Sequence, residues 1–256
     1  KYIENTEVFF SIIMPVYNTN INHLKDAIES VLKQSFKNWE LCISDDFSTS
    51  NETINLLKYY SALDSRIKVY YRKSNGNISE NTKSAISLAK GKYLAFLDHD
   101  DLLSLNALQV VYFYVKKMNP KLIYSDEDKI NQNGKRCSPY FKPDWNYNLF
   151  LSQNFICHFL VIEKDIYEKH GNFRSSCDGA QDWDNLLHII PHVKESEIYH
   201  IDKILYHWRI HPASTAYSVE SKPYAIKSSL KALNDYLKRE RIHASVKCIE
   251  NHYFHV

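Results

Sequence analysis

Long apolar runs and helix-period stripes alternate along the first half of this chain. Val8 to Val16 is a near-continuous apolar run, which is how a strand buried on both faces reads. From Asn22 onward, Leu24, Ala27, Ile28, Val31 and Leu32 recur at the spacing of one helix face. Trp39 to Ser44 is a second strand, Asn51 or Thr53 caps a helix running to about Ala62, and Ile67 to Tyr71 is a third strand. After the Asn75-Gly76 turn a helix runs from about Ser79 to Lys90, with Gly91 placed as its C-terminal cap. Tyr93 to Leu97 is the next strand. Ser104 caps a helix whose Leu105, Leu108, Val111, Tyr112 and Val115 form one face; Pro120 ends it, and Leu122 to Ser125 is one more short strand. Strand–helix alternation of this kind predicts right-handed crossovers and a mostly parallel sheet.

The second half has a different pattern. Asp126-Glu127-Asp128-Lys129-Ile130 leads into a turn at Asn131 to Gly134, a small hairpin excursion, and Phe141 to Trp145 reads as irregular. Ile156 to Ile162 returns as a strand, and Glu163 to His170 is a short helix ended by Gly171. Gln181-Asp182-Trp183-Asp184 opens a helix through Ile190, and Ile198 to Tyr206 is extended. A long amphipathic helix covers about Pro223 to Arg241, with Ile226, Leu230, Leu233 and Leu237 inward. No repeats appear.

Composition narrows the classes. A net charge of +2 over 256 residues demands no polyanion partner, and nucleic-acid binding finds no support. Five scattered cysteines without a Cys-x-x-Cys pair fit reduced thiols in a cytoplasm. No apolar run reaches the roughly 20 residues of a membrane span. The opening Lys1-Tyr2-Ile3-Glu4-Asn5 lacks a starting Met, and the chain reads as a segment of something longer.

The chemistry concentrates where strands end. Tyr93 to Leu97 runs directly into Asp98-His99-Asp100-Asp101. Ligand sites of parallel sheets lie beyond the carboxyl ends of the strands, and hard cations take oxygen ligands. Trp39 to Ser44 likewise ends in Asp45-Asp46.

Taken in order, these motifs carry a resemblance. Ser11 to Asn18, Gln34-Ser35-Phe36, Trp39 to Leu41, Ser44 to Ser48 and Gly91 to Asp101 resemble those of the family 2 glycosyltransferases, as do Tyr124 to Ile130, Phe141 to Trp145, Gly179 to Asp184 and Tyr206 to Arg209. The likeness spans about Phe10 to Thr215, and its later motifs are typical of enzymes building bacterial surface polysaccharides such as O-antigen or capsule. It implies an α/β protein of the GT-A, or nucleotide-diphospho-sugar transferase, fold: a mostly parallel central sheet flanked by helices, with a C-terminal helical extension. Residues 1–256 then form one domain, with a nucleotide-sugar-binding half (about 8–125), an acceptor and catalytic half (about 126–220) and a helix and tail (about 221–256).

The resemblance also implies roles. Asp100 is the main metal ligand, for manganese or magnesium, with Asp98 adjacent and nearer the ribose, and His207 completes the metal shell. Asp46 contacts the uracil edge with Asp45 nearby, and Pro15 and Tyr17 wall the base. His158 faces the donor sugar and Arg209 meets phosphate. Asp182 is the base that takes the acceptor's hydroxyl proton, whereas Asp184 reads as a helix-start acid. Lys83 stands where many relatives carry Asn. Asp126, Glu127 and Asp128 read either as ligands of sugar hydroxyls or as a solvated charged turn. Trp145, Trp183 and Trp208 are candidates for stacking on sugar faces, or core. The implied partners are a nucleotide-diphosphate sugar, a UDP-sugar first, and a glycan or lipid-linked saccharide acceptor. The implied place is the cytoplasm, at the inner face of the membrane, within a longer multidomain chain. Two other classes stay open on the residues alone: a nucleotidyltransferase or phosphohydrolase acting on nucleotide sugars, and a non-catalytic sugar-nucleotide-binding module.

Overall fold

The computed structural model describes residues 7–210, 223–249 and 253–256. The ends of the readings at Lys1 to Asn5 and at His211 to Thr215 lie outside the described residues. The front half alternates as the pattern predicts: β1 (Phe10–Val16), α1 (Ile21–Leu32), β2 (Trp39–Asp45), α2 (Asn51–Leu63), β3 (Ile67–Tyr71), α3 (Asn77–Ile86), β4 (Tyr93–Phe96), β5 (Leu102–Leu103) and α4 (Ala107–Met118). There follow β6 (Leu122–Ile130), β7 (Arg136–Tyr140), α5 (Tyr147–Ser152), β8 (Leu160–Glu163), α6 (Lys164–His170), α7 (Gln181–Ile189), β9 (Ile198–Arg209) and α8 (Pro223–Arg239).

The main sheet has the order β3-β2-β1-β4-β8-β6-β9-β5, with β7 added on β6. Strands β3, β2, β1, β4, β6 and β9 all run one way, while β8 and β5 are reversed. Along β1, Phe10, Ile12, Met14 and Val16 pack into a core on one face and Ile13 into a core on the other, as a doubly covered strand requires. Helices α1 and α4 supply the first core, and α7 and α8 supply the second.

The chain leaves β1 toward β2 and β3, then crosses back to β4 on the other side, so the strand order reverses between β1 and β4. Open sheets of this kind bind ligands in the crevice at that point. Pro15 suits the crevice. β1 pairs with β4 only from Phe10 to Ile13, so the edge where Pro15 lacks an N–H faces a gap rather than a partner strand.

Five local readings change. Ser50, not Asn51 or Thr53, caps α2, its hydroxyl accepting from the Thr53 N–H, and β8 starts at Leu160 rather than Ile156. Gly91 is not the cap of α3, which ends at Ile86 with Ser87 in a right-handed conformation. A Cβ at Gly91 would lie 2.6 Å from the Ser11 backbone nitrogen, so glycine there answers a close approach of backbone to β1. Ser104 does not cap α4; its hydroxyl bonds the Ile204 carbonyl, and Leu105 is exposed. Most consequentially, β6 does not stop at Ser125. It runs nine residues to Ile130 with Asp126, Glu127 and Asp128 all buried, because β9 lies beside it carrying His200 and His207.

Candidate active site

The acids after β4 divide by what holds them. Asp98, Asp100 and Asp101 each place an oxygen within 4.8 Å of the others. Asp101 is fully buried: Oδ2 accepts from the Tyr206 hydroxyl at 2.7 Å and Oδ1 from the Arg209 backbone N–H at 2.7 Å. Burial, reinforced by the charges of Asp100 and Asp98, raises its pKa well above the ordinary carboxylate value. Asp101 therefore anchors the loop. Asp98 stays exposed and Asp100 half-buried. An all-oxygen set of this kind fits a hard divalent cation, and such a cation would relieve the repulsion that raises Asp101.

Two adjacent clefts open beyond these acids. The outer one, about 340 Å³, is lined by Pro15, Tyr17, Asp46, Asn75, Asn81 and His99 among others. That volume falls within the range of small-ligand sites. The inner one, about 30 Å³, shares Pro15 and Ile78 with it and is lined on its polar side by Asp98, His158, Gln181 and Asp182. Asp46 is almost wholly buried, and its Oδ1 meets the Gly76 backbone N–H at 2.9 Å and Arg72 Nε at 2.8 Å. Asp45 is as buried as Asp46 but lines neither cleft; its Oδ2 accepts from the Ser48 N–H at 3.1 Å, the acid-cap geometry of a turn.

Asp182 sits in the first turn of α7, an N-terminal end that favours a carboxylate. Gln181 donates to its Oδ2 at 2.9 Å. Burial, and next the charge of Asp98, push its pKa up to about 6, a value suited to accepting a proton near neutrality. His158 stacks on Tyr206, ring centroids 4.8 Å apart, with Nε2 3.7 Å from Asp98 Oδ2. Burial disfavours charge on its ring, but Glu127, Asp98 and Asp101 outweigh that and push its pKa up to about 9.

The glycosyl transferase family 2 pattern matches residues 11–171. The chain belongs to that family. Over 230 residues this glycosyltransferase is 45% identical to an uncharacterised protein of Sinorhizobium fredii, covering 90% of the chain and 25% of that protein. Over 237 residues it is 32% identical to the O-antigen biosynthesis protein RfbC of Myxococcus xanthus, covering 92% and 18%. The chain thus spans a quarter or less of the length of these relatives. Among solved structures it is similar to S. aureus TarS in complex with UDP-GlcNAc, with TM-score 0.68, 16% identity and coverage of 92% of this chain and 73% of that one. It is also similar to the mannosyltransferase PcManGT of Pyrobaculum calidifontis in complex with GDP-Man and Mn2+, with TM-score 0.63, 12% identity and coverage of 92% and 76%. The GT-A fold expected of the family 2 enzyme is the fold observed.

Within this glycosyltransferase, Pro15, Tyr17, Asp46, Asp98, His158 and Asp182 all line the two clefts. Four expected ligands do not: Asp45, which caps its turn, Asp100, which stays beside Asp98 in the acidic cluster, and His207 and Arg209. His207 has both ring nitrogens engaged, Nδ1 with Asp128 at 2.5 Å and Nε2 with Ser104 at 3.0 Å, so it braces β6 against β5 instead of reaching the Asp98 and Asp100 carboxylates. Arg209 turns its Nε to the Asp100 carbonyl at 2.7 Å and Nη2 to Asp26 at 3.1 Å; it buckles the acidic loop rather than standing in a cleft. Asp126, Glu127 and Asp128 are neither cleft ligands nor a solvated turn: they pair inward with His200, Lys142 and His207. Asp184 is structural, gripped by Arg174 through Nε at 2.8 Å and Nη2 at 2.5 Å. Trp183 is core, its indole N–H on the Phe150 carbonyl, and Trp145 packs on Phe150 and Phe155. Trp208 lies over neither cleft, its ring beside His158 and Lys129. Sequence reading missed Arg72 and Asn81. Arg72 is invisible as a site residue because it follows β3, outside every motif that carries the resemblance, yet it holds Asp46. Asn81 is buried with its Nδ2 on the Val16 carbonyl at 3.1 Å.

Proposed function

We propose that this glycosyltransferase chain is the inverting, metal-dependent transfer unit of a longer protein that builds a bacterial surface polysaccharide. The donor is a nucleotide-diphosphate sugar, a UDP-sugar first, and the acceptor is a hydroxyl of a glycan or lipid-linked saccharide. The nucleoside enters the outer cleft against Pro15, Tyr17 and Asp46, with Asp45 behind, and Asp98 stands at the ribose and diphosphate. Asp100, with Asp98 beside it, would hold Mn2+ or Mg2+. Such an ion, when bound, neutralises negative charge on the departing diphosphate. The donor's sugar sits at the mouth of the inner pocket, beside His158. Asp182 accepts the hydroxyl proton as the acceptor oxygen attacks the anomeric carbon from the face opposite the diphosphate. The bond from that carbon to the diphosphate oxygen breaks as the new glycosidic bond forms, so configuration inverts.

The observation that carries this reading is the adjacency of the two clefts. Asp98 and Asp182 line one inner pocket that shares Pro15 and Ile78 with a nucleotide-sized cleft. A phosphohydrolase would place its base beside the phosphorus, at the diphosphate, rather than in the inner pocket with Asp182. The polysaccharide context is supported by the relative named for O-antigen biosynthesis, and the nucleotide-sugar donor by neighbours solved with UDP-GlcNAc and GDP-Man. No helix among the described residues is long and apolar enough to cross a membrane, which fits catalysis at the inner face of the membrane by a peripheral unit. The test is a panel of nucleotide sugars scored by thermal shift with and without Mn2+, followed by nucleotide-release assays on the hits. A Mn2+-dependent upward shift with a UDP-sugar is expected. Absence of a shift with every UDP-, GDP- and dTDP-sugar would refute the proposal.

A further inference from the structure

Behind the inner pocket lies an ion pair that touches neither cleft. The Lys142 side chain is 0% exposed, a costly place for a charge. Its Nζ lies 3.2 Å from Glu127 Oε2 and donates to the main-chain carbonyls of Ile156, at 3.0 Å, and His158. The same Glu127 oxygen accepts the His158 backbone N–H and lies 3.6 Å from His158 Nδ1. Strand β6, the turn at Lys142 and the segment 156–158 therefore close on one pair of charges. From that segment Cys157 and His158 line the inner pocket, opposite Asp98 and Asp182.

A hydrophobic pair would fill the same volume without desolvating two ions, so packing alone gives no reason for the charges. What they add is direction. A lysine ammonium has three donors and no acceptor, and here all three point at a carboxylate and two carbonyls. Two carbonyls of one short segment are thereby fixed in orientation, and with them the side chains between.

We propose that Lys142 and Glu127 are a positioning pair for the donor's sugar. They set where Cys157 and His158 stand relative to Asp98 and Asp182, and so where the anomeric carbon rests between leaving group and base. This rests on the sugar sitting at the mouth of the inner pocket, as proposed above. Neither residue contacts the nucleoside cleft, which separates this role from a general effect on folding.

The experiment compares wild type with the Lys142→Met/Glu127→Leu double variant, which removes both charges together. UDP alone is titrated in Mn2+, and turnover is measured with whichever of UDP-glucose, UDP-galactose, UDP-GlcNAc and UDP-GalNAc wild type uses fastest. Expected for the double variant are a cooperative melt, UDP affinity within about twofold of wild type, and kcat/KM lower by about a hundredfold, the scale of an ångström-size misplacement. Retention of kcat/KM within about twofold, or a parallel loss of UDP affinity, overturns the proposal. If the double variant does not melt cooperatively, Glu127→Gln carries the test, since it keeps the volume and one acceptor oxygen. It should keep UDP affinity and lose about tenfold in kcat/KM; loss of both or of neither overturns the proposal. Failure of wild type to bind UDP or turn over any of the four sugars is a distinct result, which overturns the donor reading and this proposal with it.

Discussion

Replacing Asp182 by Asn should stabilise the protein while abolishing transfer. In the fold this carboxyl has its pKa raised from 3.8 to about 6 by burial and by Asp98, which corresponds to about 3 kcal/mol of disfavoured ionisation. Asp182 is only half-buried and water screens part of the effect, so about 2 kcal/mol is the working figure. The sign follows from the direction of the shift. The raised pKa favours the protonated fold, so this group's contribution is fully present below the unfolded value near 4 and is lost as pH rises to about 6. Wild type thus carries the penalty at pH 8 and not at pH 4, whereas an amide carries it at neither. Thermal unfolding of the two proteins, with divalent ions chelated, should give Tm values close together at pH 4. At pH 8 the variant should be higher by about 4–8 °C, given about 2–4 °C per kcal/mol for a chain of this size. Its turnover should fall by about 10²–10⁴ with donor KM little changed. A Tm difference that is the same at both pH values, or a variant less stable than wild type at pH 8, would show that Asp182 is not the strained acid described.

Two further substitutions probe parts that hold the site in place. Gly91→Ala forces a Cβ against the Ser11 backbone nitrogen, which neither strand can yield easily, and should cost about 1–3 kcal/mol in urea unfolding; a neutral result would mean that β1 and the Gly91 turn are not so close. Asp184→Asn leaves the Arg174 guanidinium with Asp235 alone, so a loss of about 3 kcal/mol is expected, with donor KM unchanged per folded molecule. A KM rise without a loss of stability would move Asp184 from scaffold to site.

The residues legible in the sequence were those whose role is decided locally. An apolar run followed by acids is enough to place Asp98 and Asp100 at a strand end, and a carboxylate in the first turn of a helix is visible in Gln181 to Asp184. What separates Asp182 from Asp184 is not local: one faces a cleft and the other faces Arg174. The same holds for Asp126 to Asp128. As a triplet they look solvated, and only the arrival of His200, His207, Lys142 and Arg136 from elsewhere in the chain makes their burial tolerable. Arg209 and His207 were misplaced for a related reason. Motif position indicates that a residue belongs to the site region, but not whether its donors face the ligand or the backbone that carries the ligand's partners.

Strand β9 has a consequence for how the protein comes into being. Asp101 is tied down by Tyr206 and Arg209, which follow it by 105 and 108 residues. At about 5–20 residues per second, the ribosome exposes the acidic loop for roughly 5–20 seconds before its clasp is made. During that interval the strands from β1 to β4 can already associate, but the carboxylates at their ends have no fixed geometry. The nascent polypeptide is therefore built in an order that leaves the acidic loop unclasped until β9, the last strand of the main sheet, is inserted. A truncation ahead of Tyr206 would leave Asp101 without either of these partners.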